Sequence, residues 1–173
     1  PTTSSAASDV YKRQIKRYSR QIILKEVGGQ GQKLLMKSKV LIIGLGGLGS
    51  PVLQYLAASG VGTIGLADND KVDLSNLHRQ IIFSLKDIGS YKVSKAKKFI
   101  SAVNSDINVI PYKQKVDLLN VDKIISKYDI IVDCTDNHSS KLIINDACYR
   151  RKKTLVYALS LIHISEPTRR NSI

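Results

Sequence analysis

The stretch VLIIGLGGLGS, residues 40–50, sets four apolar side chains directly before glycines in the spacing G-x-G-x-x-G. An apolar run of that length reads as a strand buried on both faces, as in a parallel sheet. Gly44, Gly46, Gly47 and Gly49 let the backbone turn tightly and approach phosphate groups with no Cβ in the way. The helix that follows points its first N–H groups at the bound anion. Pro51 suits the opening turn of that helix, where no amide donor is needed. Residues 40–67 hold no charged side chain, a stretch long enough to cross a bilayer, but seven glycines and Pro51 interrupt it. A strand, a turn, a helix and a second strand account for it better than a membrane span does.

The rest of the chain repeats that alternation. Short, mostly apolar runs at 39–43, 63–67, 107–112, 129–133 and 154–158 read as strands. Segments near 48–59, 92–104, 120–127 and 138–151 carry helical spacing between them. Residues 15–36 read as two helical pieces divided by Gly28, Gly29 and Gly31. Strands alternating with helices imply an α/β class: a doubly wound, mainly parallel, Rossmann-like sheet with N-terminal helices and right-handed crossovers.

A chain of 173 residues is long enough for one sizeable core. Its 27 Lys and Arg against 14 Asp and Glu give a net charge of +13, which raises the question of nucleic acid. The cations are scattered apart from RRKK at 150–153, and no aromatic platform for base stacking is visible, so a nucleic-acid partner is not expected. Cys134 and Cys148 are too few for a disulfide framework or a metal quartet; they read as small buried filler in a reducing cytoplasm. No apolar signal-type core marks the N-terminus.

DVYKRQ at 9–14 and LSLIHI at 159–164 are related in an unusual way. One coding of the first, GAT GTG TAT AAG AGA CAG, has the reverse complement CTG TCT CTT ATA CAC ATC, which encodes the second in full. The shared sequence resembles the mosaic end of transposase-made sequencing libraries. Residues 1–14 and 159–173 are therefore read as foreign, and His163, Glu166, Arg169 and Arg170 are given no role. Residues 15–158 are read as the natural part, cut within a domain.

The second strand ends at Asp68, where a carboxylate can accept hydrogen bonds from ribose hydroxyls. Glycines and acid together point to an adenine nucleotide and leave NAD and ATP undivided. The residues beyond divide them. A nicotinamide ring needs a fairly neutral cleft, whereas phosphoryl or adenylyl transfer needs fixed cations to stabilise charge spreading over phosphate oxygens. Arg79 and Lys92 supply such cations, and Asn76 offers an amide to phosphate or to Arg79. The fourth strand runs into Asp136 and Asn137, at the sheet edge where ligands bind, and a carboxylate there can hold Mg²⁺ against a triphosphate. Asp133 is expected to fix the local loop, and His138 to cap a helix or face solvent.

RYSRQIIL (17–24), GLGGLGSP (44–51), LADND (66–70), LSNLHRQ (74–80), Lys92 and DCTDN (133–137) together resemble the ThiF/MoeB/HesA family, relatives of ubiquitin-activating enzymes. The resemblance covers nearly all of residues 16–158. It implies the N-terminal part of an ATP-binding domain that adenylylates the C-terminal glycine of a small ubiquitin-like sulfur-carrier protein ending in Gly-Gly. By it, Gly47 belongs to the phosphate loop and Asp68 binds ribose. Asp70, Asn76, Arg79 and Lys92 surround the phosphates, Asp136 holds Mg²⁺, and Arg20 reaches the ATP site of the partner subunit in a homodimer. Arg20, Arg79, Lys92 and Asp136 are thus the expected catalytic set. Zinc-binding C-x-x-C pairs belong to a C-terminal part of the family that is not in this chain. The thiamine and molybdopterin pathways are both open, with LADND and RQIIF leaning to the thiamine type. A tRNA threonylcarbamoyladenosine dehydratase and an NAD(P) oxidoreductase are the alternatives.

Overall fold

The computed structural model describes the backbone of residues 3–158 and the side chains from residue 13 onward. The C-terminal segment read as foreign, 159–173, with His163, Glu166, Arg169 and Arg170, lies outside the described residues. All five apolar runs are strands: β1 (Lys39–Ile43), β2 (Thr63–Ala67), β3 (Asn108–Tyr112), β4 (Ile130–Asp133) and β5 (Thr154–Tyr157). Between them run α3 (Gly49–Ser59), α4 (Lys92–Val103), α5 (Val121–Ile125) and α6 (His138–Arg151), after an N-terminal pair α1 (Thr3–Ile22) and α2 (Gly28–Lys37). The strands form one sheet in the order β3-β2-β1-β4-β5, every neighbouring pair parallel.

Alternation along β1 explains why it is apolar from Val40 to Ile43, after the exposed Lys39. Val40 and Ile42 face α3 and α4, meeting Leu53, Ala57, Val93, Ala96 and Ile100. Leu41 and Ile43 face the other way, onto Val121, Ile125, Ile144 and Ala147 of α5 and α6. Each such fully buried Leu or Ile stabilises the fold by about 1.5–3 kcal/mol. The charge-free stretch 40–67 is therefore strand, helix and strand, and no helix among the described residues is long and apolar enough to cross a membrane.

From β1 the chain winds outward through β2 to β3, then returns to place β4 on the other side of β1. That reversal opens a crevice beyond the carboxyl ends of β1 and β4, the place where open α/β sheets take ligands.

At the N-terminus the expected division is corrected. Gly28, Gly29 and Gly31 do not separate the two helices but lie in the opening turn of α2. The break is made just before them, by a turn in which the N–H groups of Val27 and Gly28 both donate to the Leu24 carbonyl. α1 is docked by polar contacts. The Tyr18 hydroxyl, buried, accepts from Asn104 Nδ2 at 2.8 Å. The side-chain amides of Gln21 and Gln32 both donate to the Ser59 carbonyl at the end of α3.

Candidate functional site

The loop after β1 is shaped by two glycines. Gly44 has φ +92°, and a Cβ there would stand 2.8 Å from the Cys134 carbonyl oxygen. A Cβ on Gly49 would stand 2.0 Å from the carbonyl oxygen of Gly44. The turn thus folds onto itself and against the end of β4, which no larger residue at either position permits. Asp68, buried at the end of β2, ties this loop to the next. Its Oδ2 accepts from the Leu45 N–H and its Oδ1 from the Asp70 N–H, each at 2.7 Å. Burial pushes the Asp68 carboxyl above the usual carboxylate range, against the pull of those two N–H groups and of Lys92.

Lys92, first residue of α4, turns a nearly fully buried ammonium onto Asp70 Oδ2 at 3.0 Å. Arg79 is exposed; its Nη1 donates to the Ser75 carbonyl at 3.1 Å, and its aliphatic stem lies over Gly47, where a Cβ would be 3.3 Å from Arg79 Cδ. That approach is possible because the chain at 73–80 is a tight turn. Asp73 Oδ1 accepts from the Ser75 N–H and hydroxyl, and the Asn76 carbonyl accepts from the N–H groups of Arg79 and Gln80. Across the crevice, Asp133 fixes its own loop, as expected, by accepting from the Thr135 N–H at 2.9 Å and hydroxyl at 2.7 Å. The exposed carboxylate of Asp136 follows. Asn137 caps α6, its Oδ1 accepting from the Ser140 N–H at 2.8 Å, and His138 is left exposed as the first helical residue.

These elements enclose a cleft of about 900 Å³. Gly44, Gly46, Gly47, Asp68, Asp70, Asn76, Arg79, Lys92, Asp136 and Asn137 all line it. A buried ammonium, an arginine whose stem lies on the glycine loop and an acidic residue lining the same cleft suit a polyphosphate. The motifs stand in the order of a known family, and the model of that family, ThiF, matches residues 18–168. The chain belongs to the ThiF family.

Relatives of this ThiF chain bear consistent names. It is 44% identical over 155 residues to the probable molybdopterin-synthase adenylyltransferase of Gracilaria tenuistipitata var. liui, covering 90% of this chain and 43% of that protein. It is 49% identical over 148 residues to the adenylyltransferase and sulfurtransferase MOCS3 of Arabidopsis thaliana, covering 86% of this chain and 32% of that one. The chain therefore spans less than half the length of these curated relatives. Among solved structures, the E. coli tRNA N6-threonylcarbamoyladenosine dehydratase TcdA in complex with ATP superposes with a TM-score of 0.79 at 28% identity, over 83% of this chain and 58% of that one.

Two expected site residues of the ThiF chain lie outside the cleft. Gly49 is buried at the foot of α3 and serves the shape of the loop rather than lining the site, because the Gly44 carbonyl covers it. Arg20 is exposed on α1, among neighbours that dock the helix. The cleft also holds residues the sequence reading passed over, chiefly Gln80, Gln114, Lys115 and Val116. The last three follow β3 in a polar loop with no motif; only their place at the carboxyl end of a parallel strand could have marked them. Gln80 is buried with its Oε1 unpartnered, beside Arg79 in LSNLHRQ.

The metal question turns on Asp136. The described residues contain no cluster of three or more His, Cys, Asp or Glu able to hold an ion. Asp136 and Asp70 are exposed acidic residues lining the cleft, and of the two Asp70 is paired with Lys92, which leaves Asp136 to fit Mg²⁺, an ion held by one or two carboxylates with phosphates and water. Both cysteines are buried, and burial, with the Asp133 charge, pushes the Cys134 thiol up to about 12 and the Cys148 thiol up to about 11, which disfavours the reactive thiolate.

Proposed function

We propose that this chain carries the nucleotide site of an adenylyltransferase that activates the C-terminal glycine of a small ubiquitin-like sulfur-carrier protein, of the molybdopterin-synthase kind. The observation that carries this reading is the meeting of Arg79, Lys92 and Asp136 around the glycine loop in one cleft. An NAD-dependent oxidoreductase leaves those three unexplained. The names of the 44–49% identical relatives support the carrier and favour molybdopterin over thiamine.

The proposed chemistry runs as follows. A carboxylate oxygen of the carrier's terminal glycine attacks the α-phosphorus of ATP in line. A new acyl O–P bond forms, and the bond to the bridging oxygen breaks with its electron pair leaving on pyrophosphate. No covalent enzyme intermediate is required, so the protein contributes position and charge. The glycine loop before α3 cradles the phosphates, Asp68 accepts from the ribose, and Lys92 and Arg79 stabilise charge on the phosphate oxygens. Asp136 would hold Mg²⁺, which would supply positive charge against the phosphates. Arg20 acts on the site of a second subunit in a homodimer. Two free, buried thiols fit work in a reducing cytoplasm.

The test is exchange of labelled pyrophosphate into ATP by the intact protein. Exchange is expected only when a Gly-Gly-ending carrier is present, and Arg79→Ala is expected to slow it by about 100-fold or more, by analogy with loss of an oxyanion donor. Normal exchange in that variant would remove Arg79 from the mechanism. The structural likeness to TcdA supports a second reading, in which the same adenylate chemistry acts on tRNA. ATP turnover dependent on tRNA and indifferent to carrier would select it.

A further inference from the structure

Between β4 and α6 lies a buried ion pair that the chemistry above does not use. Asp133 is fully buried, and the side chain of Lys141, one turn into α6, is only 11% exposed. Lys141 Nζ stands 3.5 Å from Asp133 Oδ2 and 5.6 Å from the centre of the Tyr157 ring on β5. Removing both charges from water costs free energy on each side, which one ion pair and one ring face offset only in part. A pair of apolar residues would fill the space more cheaply. The consequence of the pair is geometric. Asp133 spends its other oxygen on Thr135, so the ammonium, the carboxylate and the Thr135 N–H form one chain from α6 back to the loop. The span Cys134–Asn137 is then held at both ends, by the Cys134 N–H on the Ile43 carbonyl and by the Asn137 cap on α6. Asp136 sits in the middle of that span and lines the cleft.

We propose that Lys141 is a positioning residue: through Asp133 and Thr135 it holds the loop that presents Asp136 to a divalent cation bound with the nucleotide. The proposal rests on the ATP and Mg²⁺ part of the reading above, not on the identity of the acceptor.

Calorimetric titration of the intact protein with ATP, with Mg²⁺ and in EDTA, tests it, with urea midpoints measured alongside. In Lys141→Met the gain in ATP affinity that Mg²⁺ brings is expected to fall about tenfold, as when a residue behind a metal ligand is lost, while affinity in EDTA stays at the wild-type value. Lys141→Arg restores most of the gain. Thr135→Val keeps the ion pair and removes one hydroxyl bond; it shifts the Mg²⁺ gain in the same direction by a smaller factor, and decides the matter should Lys141→Met fail to fold. An unchanged Mg²⁺ gain in these variants, or an equal loss of affinity with and without Mg²⁺, overturns the proposal and leaves the pair a packing device. A wild-type protein that binds ATP with no Mg²⁺ gain overturns it as well. Carrier-dependent exchange that fails while Mg²⁺-linked ATP binding persists sinks the carrier reading alone.

Discussion

Asp68 joins two loops before any ligand arrives. Each carboxylate oxygen accepts one backbone N–H and keeps a second lone pair, which under the proposed function accepts from a ribose hydroxyl. The sequence showed an acid at the end of the second strand, from which a ribose role is expected; it could not show that the same oxygens bind Leu45 and Asp70. Such bonds depend on how two loops meet, which no local spacing encodes. Lys141 escaped notice for the same reason, since a lysine eight residues past Asp133 reads as one more cation among 27 Lys and Arg. Burial raises the Asp68 pKa in the fold, so the folded state binds that proton more tightly than the unfolded chain does. The stability it contributes is complete below the unfolded value near about 4 and is lost as pH rises through the higher folded value. Asp68→Asn removes the titration and leaves a pH-independent offset. The stability of the wild type relative to this variant, followed by urea midpoints, is expected to fall as pH rises from about 4 and then level off. A difference that grows with pH would mean that the N–H groups and Lys92 outweigh burial.

At the scale of elements, the strands and most helices were legible because period and composition agree along them. β1, β2 and α6 begin and end where the apolar runs and spacing put them. The error at Gly28, Gly29 and Gly31 has a physical cause: glycine marks a freedom of the backbone, and here that freedom is used to enter a helix, not to leave one. Glycine at 49 is different, since the constraint there is space. Its Cβ would stand 2.0 Å from the Gly44 carbonyl oxygen, so a methyl group must push apart the loop and α3 or the loop and β4. Gly49→Ala is expected to cost at least about 2 kcal/mol in urea unfolding, as overpacking in a rigid site does, and to weaken ATP binding in parallel. Wild-type stability in this variant would show that the turn yields without strain.

At the scale of the molecule, the winding of the chain and not any single motif assembles the cleft. β1, β2 and β4 are distant in sequence, yet the reversal of winding brings Gly44, Asp68 and Asp136 to one end of the sheet. Arg20 alone among the expected catalytic residues stays away from it. Its neighbours in RYSRQ are spent on docking α1: Arg17 donates to the Val103 carbonyl, Tyr18 takes Asn104, and Gln21 takes the end of α3. The helix is therefore held in place with Arg20 turned outward, and a catalytic role for it requires a second subunit. That requirement has an arithmetic consequence. Under the proposed activity, Arg20→Ala and Arg79→Ala proteins are each expected to be nearly inactive as homodimers. Each functional site draws Arg79 from its own chain and Arg20 from the partner. When equal amounts are mixed and allowed to exchange subunits, half the dimers are mixed, and in each of these one site has both arginines intact. Pyrophosphate exchange should then recover to about one quarter of the wild-type rate, following the two-fold symmetry of such an assembly. No recovery, in a mixture shown by mass spectrometry to contain mixed dimers, would place Arg20 outside the neighbouring site and leave it a solvent-facing residue of α1.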